Sequence, residues 1–218
     1  MTDPIILAFD TSGPRCAAAL LVGDRAFVKI EDMAKGQAEH LVPMLEGLLT
    51  AHDLTWQDLS GIGVGTGPGN FTGIRISIAT ARGLALGLGK PAIGVTQFEA
   101  YAYGNTNCVV ALPAMRGQVY VQAFVAGGDR APRIADAVYD QMPRYPGRAE
   151  PGVVGPAADQ VGPLLHAPTV SAQCEPVEAI ARIAASRLHD PDLARPAPLY
   201  LRSADAAPPR DPAPVILA

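Results

Sequence analysis

The spacing of apolar residues changes twice within the first hundred positions. Ile5–Asp10 is a short apolar run that ends in an acid, which predicts a buried strand. Two further runs, 16–22 and 25–30, are joined to it and to each other by the turn sequences at 11–14 and 23–24. The chain is therefore expected to open with three consecutive antiparallel strands.

After these strands the apolar period becomes helical. An amphipathic helix is predicted over about 40–52, and a longer one over 71–88 that is apolar on nearly every side. Short apolar runs at 62–64 and 91–95 predict two more strands, one before and one after the long helix. The predicted order of the first half is therefore β-β-β-α-β-α-β.

The second half repeats the opening pattern weakly. Residues 109–113 resemble residues 6–10, and an offset of 103 to 105 residues persists through the next predicted strand at 120–125. Such self-similarity indicates an internal duplication. The remaining predicted elements are helices at 156–165 and 176–188 and a last strand at 199–202.

Two related halves that each begin with a three-strand meander favour an α/β fold with two ribonuclease-H-like lobes. This is the architecture of actin-like ATPases, the ASKHA fold, and by itself it gives no function. The predicted division is an N-terminal lobe at 1–104, a reduced C-terminal lobe at 105–203 and a loose Pro/Ala-rich tail at 204–218.

Composition restricts the class of protein. The chain has 218 residues, 49% of them hydrophobic, which is enough for a buried core. A net charge of −4, spread over both halves, argues against a stand-alone nucleic-acid-binding domain. No apolar stretch reaches the length of a membrane span, and residues 1–4 show no basic leader. A cytoplasmic protein without membrane contact is expected.

The most distinctive segment is the glycine-rich sequence of residues 61–73, which precedes the long helix. Glycines let the backbone approach a ligand or another backbone closely, and the amides at a helix start can bind an anion. However, the segment has neither the lysine of a P-loop nor the GxGxxG spacing. A tight strand-to-helix turn capped by Asn70 or Thr72 is the favoured interpretation.

Asp10, Thr11 and Ser12 end the first strand, where actin-like ATPases hold nucleotide phosphates and metal. A capping turn is the alternative. The corresponding position of the second half is Pro113, which removes the matching acid. ATP or ADP is therefore expected only at a site shared with a partner, and no cofactor is expected in isolation. Neither the four histidines nor the three cysteines have metal-ligand spacing, so no metal ligand or catalytic residue is assigned.

The long helix carries a stripe of mostly small residues, namely Ile76, Thr80, Gly83 and Gly87. Each glycine inside a helix costs about 1 kcal/mol relative to alanine. A helix that accepts this cost is expected to need another backbone close by, either within the chain or in a second subunit.

Several motifs together resemble one family. They are ILAFDTS (6–12), EHLVPM (39–44), GTGPGNFTGIR (65–75), GLALGLGKP (83–91) and PLYLR (198–202). On these motifs the chain is similar to the TsaB family, also called YeaZ, over nearly its whole length and most strongly over 5–125.

The resemblance implies a non-catalytic partner of TsaD, a relative of similar fold that is the catalytic subunit. With TsaE, these subunits make N6-threonylcarbamoyladenosine at position 37 of tRNAs that read ANN codons. It implies a heterodimer with TsaD, a homodimer in isolation and tRNA contact only through the complex. The partner interface expected on the two helices comprises His40, Leu41, Leu45, Leu48, Arg75, Ile76, Thr80, Gly83 and Gly87.

The sequence also departs from the family patterns. Catalytic TsaD-type chains carry an H-x-x-x-H metal motif where this chain has Gln97 and Tyr101. The acid and the first arginine of the TsaB pattern D-A-R-x-G-E-V-Y are Pro113 and Met115 here. These departures weigh against the alternatives that remain, a glycoprotease-like metallopeptidase or an ATP-dependent small-molecule kinase. A plain tRNA-binding module is opposed by the acidic charge.

Overall fold

The structure is a computed structural model that describes residues 3–105, 107–124, 131–142 and 151–201. Val125, Arg202 and the predicted tail at 204–218 lie outside these residues. Among the described residues no helix has both the length and the apolar character needed to cross a bilayer.

The first lobe contains a five-stranded sheet in the order β3-β2-β1-β4-β5. β1 pairs antiparallel with β2 and parallel with β4, so the sheet is mixed. The predicted opening meander and the two later strands are confirmed. The strands are β1 (Ile5–Asp10), β2 (Arg15–Val22), β3 (Arg25–Asp32), β4 (Gly61–Gly65) and β5 (Ala92–Val95).

Helices cover both faces of this sheet. α1 and α2 pack on one face around Phe9 and Ile62, whereas α5, from the far end of the chain, packs on the other face around Ile6. Gly63 of β4 permits this second contact, because a Cβ there would lie 3.1 Å from the Cβ of Ala184. The helices are α1 (Gln37–Thr50), α2 (Phe71–Leu88), α3 (Gln97–Ala102), α4 (Ala158–Leu165) and α5 (Pro176–Ser186).

The second lobe has a four-stranded sheet that repeats the first four strands in order and direction. β6 pairs antiparallel with β7 and parallel with β9, as β1 pairs with β2 and β4. The two-lobed α/β prediction and the internal duplication are therefore confirmed at the level of topology. The strands are β6 (Cys108–Pro113), β7 (Gln118–Phe124), β8 (Arg133–Asp136) and β9 (Gly152–Val154), and single 3-10 turns lie at Trp56–Asp58, Met115–Gly117 and Tyr139–Gln141.

The predicted last strand at 199–202 is wrong for the residues described, since 199–201 form no strand. Leu199 instead donates one backbone hydrogen bond to the carbonyl of Thr66, at 2.8 Å. The short segment is tied by this bond to the residues that follow β4, at the boundary between the lobes.

Candidate functional site

A cleft of about 1210 Å³ lies between the two lobes. The first lobe lines it with the polar side chains of Asp10, Ser12, Arg15, Gln97 and Tyr101, and also with the apolar side chains of Pro14, Phe71 and Ile74. The second lobe lines it mainly with apolar side chains, namely Leu112, Pro113, Ala114, Met115 and Pro156. The polar wall of the cleft therefore belongs to the first lobe, beside apolar side chains of the same lobe.

Asp10 is the buried acid of the polar wall. Its Oδ1 accepts hydrogen bonds from the backbone amide of Ser12, at 3.0 Å, and from the Ser12 hydroxyl, at 2.7 Å. Its Oδ2 is buried with no hydrogen-bond partner among the described residues, and a Cβ on Gly65 would lie 1.9 Å from it. Burial raises the pKa of Asp10, although the Ser12 bonds act in the opposite direction.

Thr11 is turned away from the cleft into the core. Its hydroxyl donates to the carbonyl of Gly73, at 2.7 Å, and lies 2.8 Å from the hydroxyl of Ser77. Its amide donates to that same Ser77 hydroxyl, at 2.9 Å. Thr11 is fully buried, so the polar groups expected to face a phosphate are used to attach β1 to α2.

The glycine loop, residues 65–73, lies directly against residues 10–12. A Cβ at Gly73 would lie 1.8 Å from the carbonyl oxygen of Thr11, and one at Gly69 would lie 2.7 Å from that of Ser12. The amide of Asn70 donates to the Ser12 carbonyl, at 2.7 Å. The glycines therefore allow backbone to approach backbone.

The start of α2 is the predicted capped turn. Asn70 is the N-cap, and its side chain accepts a hydrogen bond from the amide of Gly73, at 3.0 Å. The amide of Ile74 donates to the Asn70 carbonyl. These amides are consequently occupied within the chain, and the capped-turn interpretation is confirmed.

Gln97 and Tyr101 lie on α3, one helical turn apart, at the cleft wall. The Gln97 amide donates to the Ser12 hydroxyl, at 3.4 Å, and Tyr101 shares a hydrogen bond with Arg15. Burial raises the pKa of the Tyr101 hydroxyl. Among the described residues no group of three or more His, Cys, Asp or Glu side chains is placed to hold a metal ion.

The corresponding loop of the second lobe, residues 113–117, is open to solvent. Met115 is 65% exposed, and Arg116 has a φ of 59°, in the left-handed region that favours glycine. Apart from its two chain neighbours, no atom of the described residues lies within 4 Å of where a Cβ on Gly117 would be. This loop therefore differs from residues 10–12, which are packed against a helix.

The expected interface residues of α1 require a correction. Leu41, Leu45 and Leu48 lie in the core of the first lobe, with exposures of 0%, 0% and 7%. They contact the sheet and α2, so they do not form a surface for a partner. The apolar face of the amphipathic helix points inward, and the outward face carries Val42, which is 40% exposed.

The remaining expected interface residues lie at or near the surface. Gly83 and Gly87 are exposed, and among the described residues outside their own helix no atom lies within 4 Å of a Cβ built on either, so no described backbone packs against these two glycines. Ile76 and Thr80 are half-buried beside them. His40 Nε2 lies 2.7 Å from Glu31 Oε2, joining α1 to β3.

Two surface features were missed by sequence reasoning. Leu86, on the same face of α2, is 82% exposed. At the other end of α2 the Arg75 guanidinium lies 3.9 Å above the Phe71 ring, and that ring stacks on Tyr200 at 5.1 Å. The i, i+4 spacing of Phe71 and Arg75 was a signal for part of this cluster, whereas no local pattern indicates Tyr200.

The chain matches a family profile described as "TsaD: tRNA N6-adenosine threonylcarbamoyltransferase" over residues 29–187. The "tRNA threonylcarbamoyladenosine biosynthesis protein TsaB" of Escherichia coli is 35% identical over 121 residues, 53% of this chain and 52% of that protein. The chain thus aligns with about half the length of this relative. An uncharacterized protein of Mycobacterium tuberculosis is 31% identical over 214 residues, 93% of this chain and 94% of that protein.

Solved structures share the fold. An uncharacterized Pseudomonas aeruginosa protein "with similarity to peptidase YEAZ" has a TM-score of 0.73 at 25% identity, over 91% of this chain and 100% of that chain. YeaZ from Pseudomonas aeruginosa has a TM-score of 0.68 at 24% identity over the same shares. The ethanolamine utilization protein EutJ of Carboxydothermus hydrogenoformans has a TM-score of 0.51 at 12% identity, over 85% of this chain and 90% of that chain.

The likeness to EutJ concerns the fold alone, and it agrees with the two-lobed, actin-like architecture predicted from the sequence. The profile match covers most of the chain, and the named sequence relatives are TsaB proteins. The chain therefore belongs to the family that the TsaD profile describes, and over about half of its length it is 30% to 36% identical to TsaB proteins.

Proposed function

We propose that this protein is a subunit of the machinery that makes N6-threonylcarbamoyladenosine at position 37 of tRNAs reading ANN codons. The names of its relatives support the pathway. The observation that carries the subunit role is the outer face of α2, where Leu86 is 82% exposed beside the open positions Gly83 and Gly87. An exposed apolar side chain between small residues is suited to contact with another helix.

The proposal includes a non-catalytic role. The positions that hold the metal-ligand histidines in catalytic relatives are Gln97 and Tyr101, and both are engaged in hydrogen bonds with the cleft wall. Neither an amide nor a phenol replaces a pair of imidazoles as ligands for zinc or iron. The same positions disfavour a metallopeptidase.

ATP or ADP belongs to the proposal only at a site shared with a partner. Thr11 is closed off by Ser77 and Gly73, and the second lobe presents Pro113 where an acid would be needed. With these groups unavailable for phosphate or magnesium, a small-molecule kinase is disfavoured as well.

The proposed partners are TsaD, as a heterodimer through the outer face of α2, and TsaE within the assembled complex. A homodimer through the same face is expected when the protein is alone. Contact with tRNA is expected only through the complex, because the chain has a net charge of −4. A cytoplasmic location is part of this proposal, since that is where tRNA is modified.

The test uses Leu86→Asp, which places a charge on the outer face of α2, with Val28→Asp on β3 as a matched control. Val28 is 38% exposed and lies on a different element. We expect Leu86→Asp to weaken TsaD binding at least 10-fold, while Val28→Asp binds like wild type and both remain folded. Equal TsaD binding by Leu86→Asp would place the interface elsewhere.

The pathway is tested separately in cells depleted of the native protein. Mass spectrometry of digested tRNA should show that threonylcarbamoyladenosine is lost on depletion and restored by wild type and by Val28→Asp, but not by Leu86→Asp. An unchanged content of the modified nucleoside on depletion would overturn the proposed function.

A further inference from the structure

The last described residues of the chain lie in the cleft between the lobes. Leu199, Tyr200 and Leu201 all line it, and Leu201 is the last residue that the structure describes. The Tyr200 hydroxyl accepts a hydrogen bond from Arg75 Nε, at 3.0 Å, which holds this part of the chain against α2. Residues 202–218, called the C-terminal segment below, therefore continue from a point within the cleft.

The cleft has exposed apolar side chains that a peptide segment could cover. Met115 of the second lobe is 65% exposed, and the stacked rings of Phe71 and Tyr200 are 41% and 42% exposed. All three line the cleft, although they come from distant parts of the sequence. Exposed apolar groups gathered at one concave place indicate an interaction site. The cleft volume of about 1210 Å³ exceeds the roughly 300–1,000 Å³ of a small-molecule pocket, so a short peptide fits.

The charges of the cleft disfavour a charged occupant. The charged side chains that line it are Asp10, Arg15 and Asp32, so both signs are present. Arg15 and Asp32 are opposite each other in the register of β2 and β3. An acidic group would meet Asp32 and a basic group would meet Arg15, so neither sign gains from the cleft as a whole. The occupant that avoids both conflicts is uncharged and apolar.

The C-terminal segment contains a stretch of this kind. Residues 212–217 carry no charge, and the Val-Ile-Leu run at 215–217 is the only run of three large aliphatic residues in the segment. Covering such a run removes apolar surface from water, which is favourable. Val215 comes 14 positions after Leu201, and a chain of that length spans at most about 50 Å. The connection is therefore long enough for the run to return to the cleft.

We infer that the aliphatic run 215–217 occupies the cleft between the lobes of its own chain, against the exposed side chains of Met115 and Tyr200. A tethered segment acts at an effective concentration in the millimolar range, so contacts that are weak for a separate peptide suffice. A partner or ligand that uses the cleft then has to displace the segment first. The inference goes beyond the proposed function and depends neither on TsaD nor on the outer face of α2.

The first experiment measures access to the cleft in the full chain. The probe is a fluorescein-labelled, amidated peptide with the sequence of residues 210–218, Arg-Asp-Pro-Ala-Pro-Val-Ile-Leu-Ala. The double variant Val215→Asp with Leu217→Asp places charges on the run and should free the cleft. Fluorescence anisotropy should show that this variant binds the peptide about 10-fold more tightly than wild type, whose own segment competes. The matched control, Ala204→Asp with Ala207→Asp, adds the same charges elsewhere in the segment and should bind like wild type.

The second experiment locates the contact in the variant with the freed cleft. Adding Met115→Ser should weaken peptide binding at least 5-fold, because an exposed contact side chain is removed. Adding Val28→Ser instead removes an exposed apolar side chain from β3 and should leave binding unchanged. A peptide with Ser at its Val, Ile and Leu positions should not bind. Thermal unfolding is measured for each variant, and those whose midpoint matches that of the freed variant are compared.

Three outcomes overturn the inference. Equal peptide binding by wild type and by the freed variant would show that the segment does not occupy the cleft. Peptide binding to neither protein, or equal binding by the Met115→Ser and Val28→Ser variants, would show that the cleft does not recognise the run. Tighter peptide binding by wild type as the protein is diluted would show that the occupant comes from a second copy and not from the same chain.

Discussion

The two lobes share a topology and differ in the loop that each contributes to the cleft. Residues 10–12 lie at the end of β1, where Thr11 is fixed by hydrogen bonds to Ser77 and Gly73 of α2, whereas residues 113–117 lie at the end of β6 and are mostly exposed. The strands before these loops occupy equivalent places in their sheets. Sheet order therefore determines where such a loop lies, and packing against the next helix determines whether its polar groups remain available.

The difference arises from where the segment after the fourth strand of each lobe contacts that lobe's first strand. In the first lobe α2 begins against the loop itself, through Gly69 and Gly73. In the second lobe the chain before α4 contacts β6 instead. A Cβ on Gly155 would lie 2.5 Å from the carbonyl of Ala111, to which the amide of Ala157 also donates. The contact falls two residues before the loop, which leaves residues 113–117 uncovered.

The largest expected effect comes from adding one methyl group at the first loop. Gly73→Ala would bring a Cβ to within 1.8 Å of the Thr11 carbonyl, a backbone atom that can yield only if α2 moves. We expect the free energy of unfolding to fall by about 3 kcal/mol in urea titrations. Gly83→Ala is the matched control on the same helix. The new Cβ has no described neighbour within 4 Å outside its own helix, so the free energy of unfolding should rise by up to about 1 kcal/mol.

The next test removes the buried hydrogen bonds of the Thr11 hydroxyl while keeping the shape of the side chain. Thr11→Val deletes the hydroxyl that bonds Gly73 and Ser77 and leaves both without that partner. The expected loss is about 1–3 kcal/mol in chemical denaturation. Thr72→Val, at an exposed position in the first turn of α2, should change stability by less than about 0.5 kcal/mol. Similar losses at both sites would show that the hydrogen bonds of Thr11 do not hold the first loop against α2.

The third prediction concerns pH. Burial raises the pKa of Asp10 above its ordinary value of 3.8, so the folded state disfavours the charged form, and stability falls as pH rises above that value. Asp10→Asn should therefore be more stable than wild type at pH 7, by about 1.4 kcal/mol for each pKa unit of elevation. The advantage should shrink toward pH 4 in denaturant titrations.

Asp58, an exposed acid, serves as the control, because replacing it should change stability at pH 7 in the opposite direction. Hydrogen bonds from Thr55 hold the pKa of Asp58 below its ordinary value, so Asp58→Asn should lose stability at pH 7 and recover as the pH falls. A pH-independent difference for Asp10→Asn would mean that Asp10 is not disfavoured in its charged form.

The smallest effect is expected in the second loop. Arg116→Gly should raise the free energy of unfolding by about 0.5–1 kcal/mol, because glycine adopts a φ of 59° without the steric cost of a Cβ. Gly117→Ala, at a φ of 75°, should lose a similar amount through strain alone, since nothing lies near its Cβ. Thermal unfolding resolves both. A loss as large as that of Gly73→Ala would show that this loop is packed in solution.

Local pattern was sufficient for much of the fold. The apolar run Ile5–Asp10 and the helix Phe71–Leu88 were predicted with their observed bounds, and Asn70 was correctly proposed as a cap. Helix α3 was missed, although Thr96 and Glu99 form a capping box whose spacing is visible in the sequence. Strands β8 and β9 were missed because their three or four residues lie within the Pro- and Gly-rich segment 130–175, where no apolar run stands out.

The site was less accessible to sequence reasoning, because its contacts join distant residues. Thr11 and Ser77 are 66 positions apart, and Arg75 and Tyr200 are 125 apart. The leucines at 41, 45 and 48 were assigned to an interface because amphipathic spacing shows that one face is covered without showing by what. The same spacing fits a helix that covers its own sheet, which is what Leu45 does here.

The position of α5 also has a consequence for synthesis. Val177 and Ile180 cover the face of the first sheet that contains Ile6 and Ala8. A nascent chain that has released only its first hundred residues holds the strands of that sheet without this cover, and more than seventy further residues must emerge before α5 can reach it. Such late, long-range closure slows folding and leaves apolar surface open to other chains meanwhile. Helix α5 therefore completes a lobe whose strands leave the ribosome more than seventy residues earlier.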